Sequence, residues 1–349
     1  MDRRFQFRRS TTCRIVLGDG VEAQLGELIG QLEADHVVLV HDAVLKGLAA
    51  RLARAVGARS VLSVPGGEAC KRLDVIGKLA ADLSAAGATR GTALVGLGGG
   101  TITDLVGFLA ATYMRGVPLV LCPTTTLAMC DAAIGGKNGV DVSGLKNMLG
   151  TIRQPDLVVA DIAWLKSLPD ELFREGLVEV VKKAAVLDAA NFKRLEQLAP
   201  DLAARRTAAV AEVVEMAVMM KMDVVRADET ETGRRRWLNF GHTIGHAIES
   251  LGAGTIRHGS AVAMGLAAEC RAAGALVPAA VTARIEALLH GLGVTTAMPR
   301  PVADAVRLWQ FAQKDKKVRT GSVPMIVPAT IGRGKVVELS AQNLARSLA

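Results

Sequence analysis

Aromatic residues are scarce in this sequence, since Phe, Trp and Tyr together make up 3% of its 349 residues. The hydrophobic core must therefore be built from aliphatic side chains, and 50% of the chain is hydrophobic. Only 22% of the residues are charged, which excludes an intrinsically disordered chain. The length excludes a miniature disulfide scaffold and predicts about two domains.

The sequence also has almost no aromatic residues among its basic clusters, and it lacks a long unbroken apolar run. The formal net charge of +8 could serve nucleic acid, a membrane surface or small anionic ligands. Proteins that bind single strands need aromatic side chains on which bases stack, so we expect no nucleic-acid partner. Asp104 interrupts the most apolar stretch, between Gly96 and Thr112, so we expect no membrane span.

Cysteine is rare as well, and no two cysteines are spaced as C-x-x-C. An odd number of scattered thiols is typical of buried residues in a reducing compartment. The first ten residues alternate Arg and Phe in the manner of a strand and contain no apolar segment like that of a secretory signal. We therefore expect a cytoplasmic protein whose thiols are free, at Cys13, Cys70, Cys122, Cys130 and Cys270.

The first half of the chain alternates strand and helix patterns. Stretches of helical periodicity such as 70–87 separate short runs rich in Val and Leu, which occur at 37–40, 60–64, 93–97, 118–122 and 157–160. Such runs are typical of strands that are covered on both faces of a parallel sheet. Residues 1–168 are therefore predicted to form a Rossmann-like α/β domain.

Helical patterns dominate beyond Pro169, where an acidic pair opens the first helix. They cover 170–189, 201–226, 241–252, 260–275 and 278–291. A short apolar β pair is expected late in the chain, at 323–328 and 336–339. Residues 169–349 are therefore predicted to form a second, mostly α-helical domain.

A glycine-rich turn at 96–100, GLGGG, follows a predicted strand and precedes a helix. Backbone amides at such a turn can approach a pyrophosphate, and the N-terminus of the helix favours an anion. The turn departs from G-x-G-x-x-G because Thr101 stands at the third glycine position, and the candidate ribose-binding acid, Asp42, lies before the turn instead of after it. A plain Rossmann dehydrogenase is thus disfavoured, and a simple tight turn stays an alternative.

Residues 123–147 form a second glycine-rich stretch after a strand. The stretch is dense in hydroxyl, carboxyl and ammonium groups, which suit a polyhydroxylated anionic ligand. A solvated loop is the alternative. The groups are those of Thr124, Thr125, Asp131, Lys137, Lys146 and Asn147.

Three of the six histidines lie close together in the sequence. His242 and His246 are spaced i, i+4 and share one face of a helix, and His258 follows in a turn flanked by glycine. With a carboxylate from another helix they make a divalent-metal site, and the best carboxylate is Glu179, an acid in an otherwise apolar helix face. Histidines that pack in the core are the alternative.

Further basic residues lie near these histidines. Lys221 lies on a mostly apolar helix, Arg235 precedes the histidine helix, and a basic pair follows Asp315. Charged surface faces are the ordinary explanation for each of them.

Many motifs follow one another in order along nearly the whole chain. They are PGGEACK, GLGGGTITD, AATYMRG, PTTTLAMCDAAIGGKNGVD, LKNMLGTIRQP, LKSLP, GLVEVVKKA, DETETGRRRWLNFGHTIGHAIE, RHGSAVAMG, KDKKVRTG and IVPATIG. In this order they resemble the sugar phosphate cyclase family, most closely its 3-dehydroquinate synthase branch.

The resemblance implies a ligand set for each part of the site. Zinc, or cobalt, would be held by Glu179, His242 and His258. NAD would be bound by Asp42, Glu68, Lys71, Gly99, Gly100, Thr101, Asp104, Thr124, Thr125, Asp131, Lys137 and Lys146. The catalytic residues would be Lys137, Lys182, Lys221, Arg235, Asn239 and His246. The substrate would also be bound by Arg115, Asp131, Lys146, Asn147 and Lys316.

The resemblance also implies a reaction and an assembly. The substrate would be 3-deoxy-arabino-heptulosonate 7-phosphate, whose phosphate and carboxylate explain so many basic residues in one set. The route would be transient oxidation by NAD, elimination of phosphate, re-reduction and an intramolecular aldol closure to 3-dehydroquinate, as in the shikimate pathway and aromatic amino acid biosynthesis. The chain would be a homodimer in which Arg115 reaches the partner's site.

Substrate choice within the family depends on a few positions. Relatives that cyclise sedoheptulose 7-phosphate, which has no carboxylate, replace the equivalents of Arg235 and Asn239, and both residues are present here. Four departures from the common pattern, at His41, Thr103, Asn138 and Ser260, instead favour a sibling cyclase of secondary metabolism, such as one that acts on an amino analogue. Thr103 is shared with the relatives that use sedoheptulose 7-phosphate. A metal-dependent polyol dehydrogenase and a catalytically inactive binding module are further alternatives.

Overall fold

The structure of the chain is a computed structural model, which describes residues 1–6, 12–142, 145–315 and 321–348. By the density of their contacts, these residues fall into two compact units. The first unit contains Met1–Phe173 and Lys221–Thr230, and the second contains Arg174–Met220 and Glu231–Ala349. The domain boundary that the sequence suggests after residue 168 stays a prediction.

Nine strands belong to the first unit in the described part of the chain. They are β1 (Asp2–Gln6), β2 (Thr12–Gly18), β3 (His36–Asp42), β4 (Ser60–Val64), β5 (Thr92–Gly98), β6 (Leu119–Pro123), β7 (Lys137–Val142), β8 (Leu145–Ile152) and β9 (Leu157–Asp161). Seven of them form one sheet in the order β1-β2-β9-β6-β5-β3-β4. Strand β1 runs antiparallel to β2, and the other neighbours are parallel. The predicted parallel sheet and its five predicted strands are confirmed.

The centre of this sheet is buried on both faces. Every residue of β5, β6 and β9 is buried, which is the pattern of parallel strands covered by helices. The helices that alternate with the strands are α1 (Leu25–Gly30), α2 (Lys46–Ala55), α3 (Leu73–Ala85) and α4 (Gly100–Thr112). The sheet is thus the scaffold on which the glycine-rich turn between β5 and α4 is placed.

Strands β7 and β8 pair with each other as an antiparallel hairpin outside the large sheet. The sequence shows no alternating pattern here, and two glycines explain why. Gly139 lies opposite Gly150, and a Cβ on Gly150 would come within 2.9 Å of the carbonyl oxygen of Asn138. The Asn138 side-chain amide donates to the carbonyl groups of Gly136 (3.0 Å) and Arg153 (3.1 Å). These glycines therefore allow two strands to approach closely, and Asn138 fixes the base of the hairpin.

Helices dominate the second unit, as predicted. In chain order the remaining helices are α5 (Asp170–Leu187), α6 (Ala189–Ala203), α7 (Thr207–Ala227), α8 (His242–Gly252), α9 (His258–Ala272), α10 (Ala279–Gly291), α11 (Ala305–Asp315) and α12 (Ala341–Leu348). The late β pair is confirmed as the antiparallel strands β10 (Val323–Thr330) and β11 (Arg333–Leu339). The last residues of α7, from Lys221 onward, belong to the first unit.

The single helix predicted over 201–226 is wrong. Helix α6 ends at Ala203 and α7 begins at Thr207. Between them Arg205 adopts a φ of 54°, a left-handed conformation that ends helices and is usually taken by glycine. No glycine marks the end of α6, and Pro200, which would usually mark the start of a helix, lies inside α6. The sequence therefore places the boundary between the two helices wrongly.

All five cysteines are buried, and each is free of a disulfide bond. Burial raises the pKa of the Cys122 thiol to about 12, so it stays protonated at neutral pH. Among the described residues, no helix has the length and hydrophobicity that crossing a membrane would require.

Candidate active site

Glu179, His242 and His258 come together in the second unit. One ligand atom from each lies within 4.8 Å of the others. The Nε2 atoms of His242 and His258 are 3.7 Å and 3.6 Å from the Glu179 Oε1 atom. One carboxylate and two imidazoles form the donor set of many catalytic zinc sites, and cobalt accepts the same donors. The residues therefore fit the divalent metal that the sequence predicts.

The three candidate ligands come from three different helices, α5, α8 and α9. Glu179 lies in the middle of α5 between the buried Val178 and Val180, and it is only 1% exposed itself. His242 and His258 are the first residues of α8 and α9. Each imidazole therefore projects from the start of a helix, while the carboxylate projects from a buried helix face.

Helices α8 and α9 approach each other closely through glycine. A Cβ on Gly265 would lie 2.1 Å from the carbonyl oxygen of Gly241 and 2.8 Å from the amide nitrogen of Gly245. A side chain at Gly265 would thus overlap backbone atoms of the neighbouring helix. The contact brings the two histidine-bearing helices as near to each other as backbones can pack.

The two imidazoles of the cluster differ in their protonation. Burial lowers the pKa of His242 well below its usual value, and the nearby Lys182 charge acts in the same direction. Burial alone would also lower the pKa of His258, but hydrogen bonds to Glu179 and Glu249 raise it to about 10. His242 is therefore neutral, the form that binds metal, while His258 gives up a proton when it binds one.

Lys182 and His246 lie beside the cluster. The Lys182 ammonium forms an ion pair with the Glu179 carboxylate, one helical turn away, and the lysine is 2% exposed. The His246 ring centre is 5.0 Å from that of His242 and 6.0 Å from that of His258. Among the described residues, the group that could hold a metal does not include His246. The expectation that His246 contacts substrate stays a prediction.

In the first unit, Lys71 joins two of the predicted residues. Its Nζ atom donates to the Asp104 carboxylate (2.8 Å) and to the Asn147 side-chain oxygen (2.7 Å), and Lys71 is 4% exposed. Burial raises the pKa of Asp104 to about 6, although the Lys71 charge acts in the opposite direction. Asn147 has a φ of 51°, and its backbone amide donates to Asp141 (2.7 Å). The three side chains thus form one polar group beside α4.

The glycine-rich turn is tightly enclosed. A Cβ on Gly99 would lie 3.2 Å from the Thr125 Cγ2 atom, and one on Gly100 would lie 3.0 Å from the Cβ of Ala132. Thr101 is half-buried in the first turn of α4, and Thr124 is buried after β6. Gly99 and Gly100 therefore pack closely against Thr125 and Ala132 at the N-terminus of α4, the end of a helix that favours an anion.

Asp131 and Lys221 are joined although they lie far apart in sequence. The Lys221 Nζ atom donates to the Asp131 carbonyl oxygen (2.8 Å) and pairs with its carboxylate at 3.1 Å. Both residues belong to the first unit, and Lys221 is 7% exposed. The Lys221 ammonium group is therefore buried and fixed by Asp131, so the alternative of a solvated surface charge is excluded for Lys221.

Arg235 and Asn239 lie in a 3-10 helix that leads into α8. Arg235 is 2% exposed, which excludes a surface role for it. The Asn239 amide donates to the Glu231 carboxylate (2.8 Å). Asn239 and Glu231 line a cavity of about 270 Å³ together with Arg236, Pro324, Ile326 and Val336.

Other predicted residues lie outside these groups. The Asp42 carboxylate accepts from the Val44 amide (3.1 Å), and Lys146 faces Glu68 at 3.9 Å. Lys137 is exposed at the start of β7, and Arg115 is exposed in a turn. Lys316 lies outside the described residues.

Two residues of this region were missed by the sequence patterns. Glu249 accepts a hydrogen bond from His258, and Glu269 is buried beside the start of α8. An acid inside the apolar run of α9 is the signal that could have identified Glu269.

Two family models together match most of the chain. The model of the 3-dehydroquinate synthase N-terminal domain matches residues 61–175, and that of the C-terminal domain matches residues 176–318. The chain belongs to the 3-dehydroquinate synthase family. The 3-dehydroquinate synthase of Symbiobacterium thermophilum is 39% identical to it over 328 residues, which cover 91% of each chain.

Solved structures of related cyclases share the fold of this family member. A 2-deoxy-scyllo-inosose synthase complexed with carbaglucose-6-phosphate, NAD+ and Co2+ matches with a TM-score of 0.90 and 25% identity, over 100% of this chain and 99% of that one. The 2-epi-5-epi-valiolone synthase of Streptomyces hygroscopicus, with NAD+ and Zn2+ bound, matches with a TM-score of 0.86 and 26% identity, over 96% and 95%. The likeness agrees with the predicted fold class.

Proposed function

We propose that the chain catalyses the 3-dehydroquinate synthase reaction, converting 3-deoxy-arabino-heptulosonate 7-phosphate into 3-dehydroquinate and phosphate. The observation that carries the proposal is the buried cluster of Glu179, His242 and His258 beside Lys182, in a chain of this family. The relative that is 39% identical over 91% of its own length is a 3-dehydroquinate synthase.

The cluster in the second unit is the proposed metal site. Glu179, His242 and His258 would hold zinc or cobalt, and Lys182 would balance the charge of the carboxylate. A bound divalent metal would act as a Lewis acid on hydroxyl oxygens of the substrate. His246 lies within reach of both histidine rings and would donate or accept a hydrogen bond at the substrate.

The first unit carries the proposed cofactor site. Bound NAD would accept a hydride and return it, and so would be regenerated in each turnover. The turn at Gly99 and Gly100 would receive its pyrophosphate, because it lies at the N-terminus of α4 and its glycines carry no Cβ of their own. Asp104 and Lys71 offer a carboxylate and an ammonium group for its hydroxyl groups and phosphates.

The carboxylated substrate is favoured by two buried or held cations. Arg235 is almost fully buried, and Lys221 is buried and fixed by Asp131, so each is an oriented cation of the kind that binds a carboxylate or phosphate. A sibling cyclase that acts on a heptulose without a carboxylate would have no use for Arg235. The departures at Thr103 and Asn138 do not bear on this choice directly, because Thr103 donates to the Gly100 carbonyl and Asn138 braces a hairpin.

We also propose a cytoplasmic homodimer. Five buried, free thiols are compatible with a reducing compartment. Met114 and Arg115 have φ values of 48° and 69°, and this strained turn leaves Arg115 exposed. Strain in a non-glycine turn is often retained for function, and contact with a partner's site is the function proposed here.

The NAD balance distinguishes this proposal from a polyol dehydrogenase. With the heptulosonate phosphate, NAD and zinc, the purified chain should release phosphate continuously while the absorbance of NADH stays flat. A dehydrogenase would instead form one NADH for each substrate oxidised. Stoichiometric NADH without phosphate would refute the proposed function.

A further inference from the structure

Two carboxylates link the helices that carry the metal-binding histidines. One reaches from α8 to α9, and the other reaches from α9 to α8. Glu249 lies on α8, and its Oε2 atom is 3.2 Å from the Nδ1 atom of His258 on α9. Glu269 lies on α9, and its carboxylate accepts hydrogen bonds from the backbone amides of Gly241 (2.8 Å) and Ile244 (2.9 Å) at the start of α8. Each helix therefore carries one of the two metal-site histidines and one acid that holds the other helix.

Glu249 sets the direction of the His258 ring. With Nδ1 engaged by Glu249, the Nε2 atom is the one that faces Glu179, at 3.6 Å. A carboxylate on the far nitrogen of a ligating imidazole fixes the tautomer and the ring orientation, and it makes the ligand more basic. Glu249 thus presents a ready donor atom to the metal position.

Glu269 takes the place of an N-terminal cap for α8. The residue before this helix is Gly241, which has a φ of 80° and no side chain to cap the first turn. The first amides of a helix lack partners within the helix, and a negative charge is favoured there. Glu269 is 0% exposed and accepts from two of these amides. The first turn of α8, which includes His242, is therefore fixed to α9.

We propose that Glu249 and Glu269 are positioning residues of the metal site, which hold the two imidazoles against Glu179 before a metal binds. The inference rests on the proposed function only in taking a divalent metal as the occupant of the cluster. Neither acid belongs to the group of possible metal ligands found among the described residues. Their effect is therefore on how well His242 and His258 are placed.

The test is zinc affinity of the substrate-free chain, measured by competition with a chromophoric chelator. Glu249→Gln keeps an oxygen that can accept from the ring but removes the charge, and it should weaken zinc binding about 10- to 100-fold. Glu249→Ala should weaken it further. Glu269→Gln should also weaken it, and Glu269→Asp, which keeps the charge on a shorter stem, is the second variant if the glutamine chain does not fold.

Two further readouts separate positioning from a general loss of structure. The affinity for NAD and the melting temperature of the metal-free chain should change little in Glu249→Gln, while the visible bands of bound Co2+ should shift. The matched control is Glu286→Gln, which breaks the ion pair with Arg271 on the outer side of α9 (2.5 Å) and should leave zinc affinity unchanged.

The proposal is overturned if Glu249→Gln and the folded Glu269 variant both bind zinc within about twofold of the wild type. It is also overturned if NAD affinity falls in the same proportion as zinc affinity. A wild-type chain that binds zinc tightly but forms no 3-dehydroquinate would refute the proposed function and leave this inference intact. A wild-type chain that binds no zinc would refute the inference whatever its activity.

Discussion

The Asp104 carboxyl makes the free energy of unfolding depend on pH. Burial raises the pKa of its carboxyl from 3.8 to about 6, so the folded chain holds this proton more tightly than the unfolded chain. The contribution of Asp104 to the free energy of unfolding therefore falls as the pH rises from about 4 to about 6, by about 3 kcal/mol in all, and then stays level.

Denaturant unfolding of the wild type and of Asp104→Asn checks this prediction. Asparagine cannot ionise, so the wild type should lose about 3 kcal/mol of stability relative to the variant between about pH 3 and pH 7. Lys71 keeps its contact with Asn147 in both chains. A stability difference that is constant over this range would contradict the assignment of the raised pKa to Asp104.

Arg235 is the residue that should distinguish the substrates. Arg235→Lys keeps the charge but loses the planar fork that binds a carboxylate through two hydrogen bonds. We expect kcat/KM for the heptulosonate phosphate to fall about 10- to 100-fold, as for the loss of one charge-assisted hydrogen bond. NAD affinity, measured by titration of the same variant, should stay within about twofold, because Arg235 belongs to the second unit and the proposed NAD residues to the first. An equal loss of both would contradict a substrate role.

The metal cluster could be predicted only in part from local signals in the sequence. An acid inside an apolar helix marks Glu179 without a fold, but the one-turn spacing pairs His242 with His246, which lies outside the group, and the ligand set with His258 came from the family resemblance. The pairing of Lys71 with Asn147, or of Asp131 with Lys221, joins residues that are far apart along the chain, so no local pattern indicates it. The same holds for Glu269, whose partners are backbone amides.

The pairing of α8 and α9 should be intolerant of any side chain at Gly265. Gly265→Ala places a Cβ 2.1 Å from a backbone oxygen, so the helices must separate. We expect a loss of about 1–3 kcal/mol of stability together with weaker zinc binding. Thermal unfolding and zinc titration of the variant measure both effects.

Gly77→Ala is the matched control for this change. Gly77 lies inside α3 with no atom within 4 Å of the position of a Cβ. Alanine is the better helix former, so this variant should gain about 0.5–1 kcal/mol. Should Gly265→Ala instead be as stable as Gly77→Ala, the close contact of α8 and α9 would be wrong.

The hydrophobic patterns of the sequence predicted the buried strands but not the β7–β8 hairpin or the end of α6. Strands such as β5 and β9 are buried on both faces and appear as continuous apolar runs, so their positions were predicted. The hairpin of β7 and β8 is rich in glycine and polar residues, and its pairing depends on a close backbone approach that no hydrophobic pattern records. The end of α6 depends on the left-handed conformation of Arg205, which no residue pattern in the sequence indicates.

Assembly of two chains can be tested through Arg115. In a homodimer whose Arg115 reaches the partner's site, Arg115→Ala and Lys221→Met should each be inactive alone. Mixed after unfolding and refolding together, they should regain about a quarter of wild-type activity, because half of the dimers are mixed and each has one intact site. Light scattering should give twice the 36.5 kDa of one chain. A mixture that stays inactive would place Arg115 in the site of its own chain.

A cyclase for a carboxylated heptulosonate phosphate differs from its sibling enzymes in the substrate that it turns over. The most direct measurement is a parallel assay of the purified, zinc-loaded chain with 3-deoxy-arabino-heptulosonate 7-phosphate and with sedoheptulose 7-phosphate, with NAD far below the substrate. We expect the first substrate to yield phosphate and 3-dehydroquinate in equal amounts over many turnovers per NAD, and the second to turn over far more slowly. Faster turnover of sedoheptulose 7-phosphate, or turnover that stops when NAD is exhausted, would contradict this expectation.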